Sequence, residues 1–231
     1  MRPGDSPLLS VLIATLVRRE ERFLELANGL CAQAEAAPAP VEVVAYQNAG
    51  EHPLASYREA LLLTARGKYL CFVDDDDEVP PWYMEEICLA LAPGPDVVAF
   101  EQYCTGTGCP RTFFGLQYRG APYEPVMMQD GGPAYLRAYS HMQPIRTEIA
   151  RQGSFLGPGP AQSTGEDYLF AASVIPILVE RGSREARINR VMYSYLWMSA
   201  GESAQQGQPG GRDGAHDRPR IESPCFRWAG T

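Results

Sequence analysis

Continuous apolar runs alternate with amphipathic stretches through the first hundred residues. Uninterrupted apolar runs are typical of strands that a sheet buries on both faces. They predict strands over LLSVLIAT (8–15), VEVVAY (41–46), KYLCFV (68–73) and DVVAF (96–100). Between these runs, apolar residues recur at helical spacing and predict helices over 18–37, 54–66 and 80–92. This alternation predicts an α/β fold with a mostly parallel central sheet flanked by helices.

The pattern becomes less regular after residue 100. Residues 101–130 are rich in Gly, Pro and Tyr, which predicts an extended or hairpin-like excursion. The later predicted elements are short helices over 133–139 and 146–152, a helix over 165–182 and a strand over 187–197. From residue 199 the chain is mostly Gly, Gln, Ser, Pro and Asp. We therefore expect a flexible polar tail or lid over 199–231, after one domain whose two halves are 1–100 and 101–198.

Composition limits the function classes. The 231 residues, 45% of them hydrophobic and 21% charged, suit one folded domain with an appended tail. The net charge of −8 disfavours non-specific adhesion to nucleic acid or to an anionic membrane. The sequence shows neither the apolar core of a signal peptide nor an apolar stretch long enough to span a bilayer, so we expect a cytoplasmic protein.

The six cysteines include one candidate pair. Cys104 and Cys109 bracket TGTG, a spacing compatible with a disulfide or with two zinc ligands. No second CxxC or His-rich segment accompanies them, so a zinc site lacks its other ligands. Cys31, Cys71 and Cys88 lie on apolar faces or runs and are predicted to be small buried hydrophobes.

Four consecutive aspartates, 74–77, follow the predicted strand 68–73 directly, in the segment FVDDDDEVP. In parallel α/β sheets, ligands bind beyond the carboxyl ends of the strands, where this run lies. On an extended backbone Asp74 and Asp76 point the same way, so the D-x-D spacing brings two carboxylates to one cation. Mg²⁺ commonly takes one or two carboxylates together with substrate phosphates. The alternative is an acidic turn whose side chains only favour the N-terminus of the next helix.

A second acidic pair, Glu166 and Asp167, opens the predicted helix 165–182 as GED. The helix dipole alone favours acidic residues at this place, so the pair has a purely structural interpretation. The functional interpretation is a general base that takes the proton from an attacking hydroxyl. Adjacent helical residues point about 100° apart, so only one of the two is expected to face a cleft.

Together these segments resemble the GT-A-fold glycosyltransferases of family two, inverting enzymes that use nucleotide sugars. The similarity extends over residues 8–197, and its motifs are SVLIAT, ASYREALLLTARGKYLCFVDDDD, GEDY and RVMYSYLW. SHMQPIRTEIARQGSF, ahead of GEDY, is similar to the compact phage-like members of the family. The resemblance implies a GT-A fold with a Rossmann-like, mostly parallel sheet. Residues 1–100 would form the nucleotide-sugar-binding half and 101–198 the acceptor-binding half.

The resemblance also implies an activity and its residues. It implies a metal-dependent hexosyl- or pentosyltransferase that moves a sugar from a nucleotide-diphosphate sugar to an acceptor hydroxyl, with Mn²⁺ or Mg²⁺ as cofactor. Asp76, with Asp74, would bind the metal. Asp167 would be the catalytic base, with Glu166 as second choice. The implied donor-binding residues are Thr15, Arg18, Gln47, Arg58, Asp74 and Asp75. The implied acceptor-side residues are His141, Tyr193, Tyr195 and Trp197.

Donor and acceptor choice are less closely defined. Many relatives carry an acidic residue after the second strand to contact the nucleobase; here Gln47 follows, and its amide still offers hydrogen bonds to a base edge. The phage-like members imply a hydroxymethylated pyrimidine in DNA as acceptor, while a surface glycan, a lipid carrier or a small metabolite is equally compatible. A DNA acceptor requires a flipped or exposed base and a basic strip. Five arginines of the second half offer such a strip: Arg111, Arg119, Arg137, Arg146 and Arg151.

Three other functions fit parts of the pattern. A nucleotidyltransferase needs a glycine-rich, arginine-containing loop after the first strand, where this chain has ATLVRREER. A two-metal nuclease needs further clustered carboxylates. A non-catalytic nucleotide-sugar-binding module does not need intact DDDD and GED segments. Hydrolysis of a nucleotide sugar with added Mn²⁺ separates such a module from an active transferase.

Overall fold

One mixed β-sheet, covered by helices, forms the centre of the fold. The computed structural model describes residues 6–106, 110–161, 164–196 and 218–229. Its strands are β1 (Leu9–Leu16), β2 (Val41–Asn48), β3 (Tyr69–Phe72), β4 (Val97–Cys104), β5 (Arg111–Phe114), β6 (Val126–Met127), β7 (Pro133–Arg137), β8 (Ile145–Arg146), β9 (Glu185–Tyr195) and β10 (Phe226–Trp228). Its helices are α1 (Glu20–Ala36), α2 (Leu54–Thr64), α3 (Tyr83–Leu91), α4 (Thr147–Ala150) and α5 (Glu166–Glu180). The prediction of four strands alternating with three helices in the first half is confirmed.

The two halves of the sheet differ in strand direction. In the described ranges the strand order is β10-β2-β1-β3-β8-β4-β5-β7-β6, and β9 pairs with β4. β10, β2, β1 and β3 are mutually parallel, so their carboxyl ends share one edge. β8 lies antiparallel between β3 and β4. The acidic run therefore follows β3 at the edge where the parallel strands end, and ligands of open α/β sheets bind beyond the carboxyl ends of such strands.

Helix α1 shows how the apolar pattern becomes packing. Its buried residues are Phe23, Ala27, Leu30, Cys31 and Ala34, the stripe that helical spacing indicates. Strand β1 beneath it is buried from Leu9 to Thr15, as a strand covered on both faces requires. No helix in the described part of the chain combines the length and the apolar character needed to cross a membrane.

Residues 133–139 do not form the short helix that their composition predicts. Instead, Pro133–Arg137 form β7, which pairs parallel with β5 and antiparallel with β6. Pairing on both sides satisfies the backbone of this segment within the sheet, and this tertiary context outweighs the helix propensity of Ala, Leu and Arg. The short helix predicted over 146–152 is present as the four-residue α4.

The polar segment 199–231 ends in a strand. Residues 199–217 lie outside the described ranges, whereas Phe226–Trp228 form β10, with Phe226 opposite Val43 of β2. The Phe226 and Trp228 rings pack on Phe23 of α1, at centroid distances of 6.4 and 5.2 Å. A flexible tail is therefore the wrong description of Phe226–Trp228, because this strand covers the edge of β2 and its two aromatic rings pack on Phe23.

Strand β10 also brings a charge into the fold. The Arg227 Nε donates to Glu42 Oε2 at 2.9 Å, and its Nη2 donates to the Thr64 carbonyl at 2.5 Å. Glu42 is buried, and its Oε1 accepts from the Ser10 hydroxyl at 2.6 Å and from the Arg66 backbone N–H at 2.7 Å. Burial alone would raise the pKa of Glu42, but the hydrogen bonds from Arg227 and Ser10 outweigh it and lower that pKa. Glu42 thus joins β1, β2 and β10 as a charged group.

We expect Glu42→Gln to lower the free energy of unfolding by about 2–3 kcal/mol at pH 7, because Arg227 loses its charged partner. The folded-state pKa of Glu42 is depressed. The contribution of ionised Glu42 to the free energy of unfolding is therefore complete above the ordinary glutamate pKa of about 4.3. It is lost as the pH falls through the pKa of Glu42 in the folded state. Urea unfolding at pH 7 and in acid should show that the difference in free energy of unfolding between wild type and Glu42→Gln becomes smaller as the pH falls. Glu124→Gln, at an exposed residue, is the matched control. A difference in free energy of unfolding between wild type and Glu42→Gln that stays constant in acid contradicts the charged pair of Glu42 and Arg227.

Candidate functional site

The acidic run is fixed in place at the carboxyl end of β3. The Asp74 backbone N–H donates to the Tyr193 hydroxyl at 3.0 Å, and the Asp77 N–H donates to the Asp74 carbonyl at 3.2 Å, which closes a turn. Asp75 and Asp77 are 4% and 5% exposed, whereas the side chains of Asp74 and Asp76 are 17% and 16% exposed. Alternate carboxylates therefore point into the protein and toward its surface.

Asp75 ties the run to the end of β1. The Thr15 hydroxyl donates to Asp75 Oδ2 at 2.8 Å, and Arg19 Nη1 donates to Oδ1 at 2.5 Å. Burial raises the pKa of Asp75 to about 6, although the charge of Arg19 opposes this. Both oxygens of Asp75 have protein partners, so this residue holds β1 and β3 together at the site.

Asp74 contacts Arg58 on one side and His141 on the other. Arg58 Nη2 donates to Asp74 Oδ1 at 2.5 Å, and His141 Nε2 lies 3.4 Å from Oδ2. Burial alone would raise the pKa of Asp74, but Arg58 and His141 outweigh it and hold the pKa well below its usual range. Asp74 is therefore a stable anion in the folded protein.

Arg58 connects the acidic run to the GED segment. Its Nη1 donates to Glu166 Oε1 at 2.7 Å while its Nη2 holds Asp74, and the guanidinium lies 6.0 Å from the Phe155 ring centroid. Arg58 is 3% exposed and Glu166 is 4% exposed. Burial would lower the pKa of Arg58, but the charges of Asp74, Glu166 and Asp167 raise it. A single buried cation thus joins α2, the end of β3 and the start of α5.

The start of α5 separates its two acidic residues. Gly165 precedes the helix with φ +78°, a left-handed conformation that glycine adopts without strain. From this turn Glu166 points inward to Arg58, whereas Asp167 is exposed. Only one of the two carboxylates is therefore open to a molecule arriving from solution.

Asp77 and Tyr193 are buried and fix the acidic run from inside the protein. The Tyr193 hydroxyl donates to Asp77 Oδ2 at 2.8 Å, and the Leu196 backbone N–H donates to Oδ1 at 2.9 Å. Burial, reinforced by the negative charge of Asp74, raises the pKa of Asp77 to about 8. Tyr193 is fully buried. Asp77 therefore anchors the end of β9 to the turn after β3.

Asp76 is partly exposed and is paired with Arg19. Its Oδ2 lies 3.1 Å from Arg19 Nη2, and the side chain reaches the surface of the site. Burial and the charge of Asp74 raise its pKa against the effect of Arg19, and a bound cation would favour the charged form. Within the described ranges no three His, Cys, Asp or Glu side chains converge as a metal site. The residues fit an ion that takes one or two carboxylates from the protein and further oxygens from a substrate.

The other candidates on the donor side occupy different positions. Gln47 lies opposite Thr15 in the β1–β2 register and is half-buried, at the end of β2. Arg18 is exposed, and its neighbour Arg19 makes the contacts with Asp75 and Asp76. The inward position of Arg19 could not be predicted from the sequence, because the short 3-10 turn Val17–Arg19, which decides which arginine turns inward, has no clear sequence signal.

The acceptor-side candidates lie close to the aspartates, but mostly beneath them. His141 is buried, with its ring packed edge-on against Phe72 at 5.8 Å. Tyr193 bridges Asp74 and Asp77, and Tyr195 is half-buried. Burial and the charge of Asp77 raise the pKa of Tyr195 to about 12. Trp197 lies outside the described residues. His141 and Tyr193 therefore support the carboxylates from inside the protein.

The five arginines of the second half do not form one free basic strip. Arg146 is bonded to Asp96 and to the carbonyls of Gly94 and Pro95. Arg151 donates to the carbonyls at the end of α2, those of Leu62, Leu63 and Ala65. Arg111 pairs with Asp130, and Arg137 donates to the carbonyls of Pro122, Tyr123 and Leu136. Arg119 is exposed. Four of these five arginines therefore bind carboxylates or carbonyls within the protein.

The proposed cysteine pair can be described on one side only. Cys104 is buried at the end of β4, and Cys109 lies outside the described residues.

Comparison with known proteins supports the fold. No protein-family model matches the sequence, and no curated protein matches it. The structure of S. aureus TarS 1–349 in complex with UDP-GlcNAc matches with a TM-score of 0.58 at 17% identity, covering 83% of this chain and 59% of that one. The same S. aureus TarS fragment in complex with UDP matches with a TM-score of 0.55 at 17% identity, covering 82% of this chain and 60% of that one. A further structure of S. aureus TarS matches with a TM-score of 0.55 at 18% identity, covering 82% of this chain and 36% of that one. The chain thus spans less than two thirds of each neighbour, and the likeness confirms a GT-A-like fold.

Proposed function

We propose that this chain is a glycosyltransferase that moves a sugar from a nucleotide-diphosphate sugar to an acceptor hydroxyl with inversion. The observation that carries the proposal is the bridge made by Arg58 between Asp74 and Glu166. It brings the acidic run and the GED segment, which are distant in sequence, to one place. The fold adds support, because the TarS structures that share it contain UDP-GlcNAc or UDP.

In this proposal the donor binds over the carboxyl ends of β1, β2 and β3. Gln47, at the end of β2, presents an amide to the edge of the nucleobase. Thr15 and Asp75 keep the ends of β1 and β3 at a fixed separation through their hydrogen bond. Arg18 and Arg19 lie on the turn that follows β1 and bring positive charge to the diphosphate side.

We propose Mn²⁺ or Mg²⁺ as cofactor, bound by Asp76 with Asp74 beside it. When bound, such an ion acts as a Lewis acid that offsets the charge on the departing diphosphate. Arg58 and His141 keep Asp74 ionised, and Arg19 orients the Asp76 carboxylate. The protein thus supplies two partly exposed carboxylates, each oriented by an arginine, which suits an ion that completes its shell with phosphate oxygens.

Asp167 is the proposed catalytic base, and Glu166 a positioning residue. A base must reach the acceptor and be free to accept its proton. Asp167 is exposed on the first turn of α5, whereas Glu166 is buried and its Oε1 already accepts a hydrogen bond from Arg58. As Asp167 takes the hydroxyl proton, the acceptor oxygen attacks the anomeric carbon from the face opposite the diphosphate. The bond from that carbon to the diphosphate breaks, the nucleoside diphosphate leaves, and the configuration at the carbon is inverted.

The acceptor that we propose is a glycan and not a DNA base. A DNA acceptor would need a strip of free cationic side chains, and Arg146 and Arg151 are committed to carbonyls within the fold. The net charge of −8 also disfavours a polyanionic partner. A neutral hydroxyl-rich acceptor needs no strip of free cations and is not repelled by the negative net charge.

The donor and the metal are tested together by thermal shift. The wild type with UDP-GlcNAc and Mn²⁺ at about 100 times the Kd should unfold about 5 °C higher than with either alone. Asp76→Asn should lose this metal-dependent shift, because an amide replaces the charged ligand. The exposed Asp130→Asn, remote in sequence from the site, is the matched control and should keep it. Asp76→Asn with a full shift contradicts the ligand assignment, and a wild type without any shift for UDP-GlcNAc or other nucleoside-diphosphate sugars contradicts the proposed function.

A further inference from the structure

Two thiols meet on the side of the sheet occupied by β10, away from the acidic run. Cys31 belongs to the buried stripe of α1, and Cys225 immediately precedes β10. The two thiols interact, since each shifts the pKa of the other. The Cys225 Sγ also lies 3.9 Å from the Cys31 carbonyl oxygen. The two residues are 194 positions apart in the chain, so the contact depends on the docking of β10.

The environment of Cys225 is fixed and reachable. Its backbone carbonyl accepts from the Val43 N–H at 2.9 Å, which holds the residue on β2. The Ser223 hydroxyl lies 3.1 Å from the Cys225 sulfur and donates to the Glu35 carboxylate at 2.7 Å. Cys225 lines a groove of about 470 Å³ whose other walls are Ala, Pro and Val side chains and Glu35. Cys31 is 4% exposed, so the two sulfurs differ in access.

The two thiols also differ in their readiness to ionise. The interaction with Cys31 lowers the pKa of Cys225 to about 7 against the effect of burial and of Glu35. The same contact and burial raise the pKa of Cys31, so this thiol keeps its proton. The thiolate is the reactive form of cysteine, and a partly exposed thiolate beside a second thiol is the arrangement found in redox-active cysteines.

We propose that Cys225 is an oxidative modification site that hydrogen peroxide converts to a sulfenic acid, which buried Cys31 then resolves to an intramolecular disulfide. In the first step the Cys225 thiolate attacks one peroxide oxygen, the O–O bond breaks and hydroxide leaves. In the second step the Cys31 sulfur attacks the Cys225 sulfur, the S–O bond breaks and the hydroxyl leaves as water with the Cys31 proton. Two thiols lose two electrons and the peroxide gains them, giving one disulfide and two waters. The bond ties α1 to the segment that precedes β10.

Peptide mapping without reductant tests the proposal on the full chain. Reduced protein treated with one equivalent of hydrogen peroxide should give a single linked peptide pair containing Cys31 and Cys225. Its Tm should rise by about 5 °C and return to the original value with dithiothreitol, because the new bond constrains the unfolded chain. A disulfide between any other pair, or an unmodified Cys225, overturns the proposal.

Two variants separate the roles of the sulfurs. Cys31→Ser should leave the sulfenic acid of Cys225 unresolved, so that dimedone labels Cys225 and no linked peptide forms. Cys88→Ser, which changes an equally buried thiol on α3, should form the linked peptide as the wild type does. Alkylation of the unmodified protein by iodoacetamide at pH 7 adds a measurement that needs no variant. Cys225 should react about tenfold faster than Cys88, and equal rates overturn the proposal.

Discussion

Asp167→Asn is expected to bind the sugar donor as well as the wild type and to react about 10²–10⁴-fold more slowly. The amide keeps the size of the exposed carboxylate but cannot accept a proton. Hydrolysis of UDP-GlcNAc with Mn²⁺ measures the loss without knowledge of the acceptor, because water then takes its place. Calorimetric titration with UDP-GlcNAc measures donor binding in the same variant.

The control for Asp167→Asn comes from the same helix. Glu180→Gln changes an exposed carboxylate at the far end of α5 and should leave the rate unaltered. Glu166→Gln should weaken folding through its contact with Arg58, with a smaller loss of rate in the protein that remains folded. Full activity of Asp167→Asn, with loss confined to Glu166→Gln in folded protein, would transfer the role of base to Glu166.

Arg58→Met should lower the free energy of unfolding by about 3–5 kcal/mol, because it leaves Glu166 and Asp74 without their shared cation. The methionine retains most of the apolar stem beside Phe155, so the loss reports the charge. Chemical denaturation of the full chain measures it. Donor hydrolysis by the fraction that remains folded should also fall, since Asp74 and α5 are no longer held together.

A double replacement separates this charge effect from lost packing. Arg58→Met combined with Glu166→Gln removes one of the uncompensated charges and should recover part of the stability that Arg58→Met alone loses. Arg119→Met, at an exposed arginine, should change stability by less than about 0.5 kcal/mol. A double variant no more stable than the single one would show that Glu166 is not an energetic partner of Arg58.

The regular part of the fold could be predicted because its sequence signals are local. The apolar runs that become β1–β4 are buried on both faces, and the stripe on α1 coincides with its buried residues. Several short strands could not be predicted, among them β7 and β10. β7 forms because β5 and β6 pair with it, and β10 forms because β2 has a free edge and Phe23 an uncovered ring. These causes lie elsewhere in the chain, so the segments themselves carry no signal for them.

The site shows the same division. The position of Asp74–Asp77 at the end of a parallel strand follows from the strand pattern alone. The side-chain partners depend on geometry that only the folded chain supplies. Arg19 turns inward beside an exposed Arg18, and Tyr193 is directed from β9 beneath the run. The roles of these carboxylates as ligand and base stay predictions until the variants are measured.

The strand order has a consequence for synthesis of the protein. β2 is made early, but its outer neighbour β10 consists of residues 226–228. While the ribosome has yet to release that stretch, the nascent domain carries an unpaired parallel edge next to an uncovered Phe23. Such an edge is a template for pairing with another chain. Pairing of this edge therefore waits until residues 226–228 have been made, and we expect a chain stalled before residue 226 to aggregate more readily than one that includes β10.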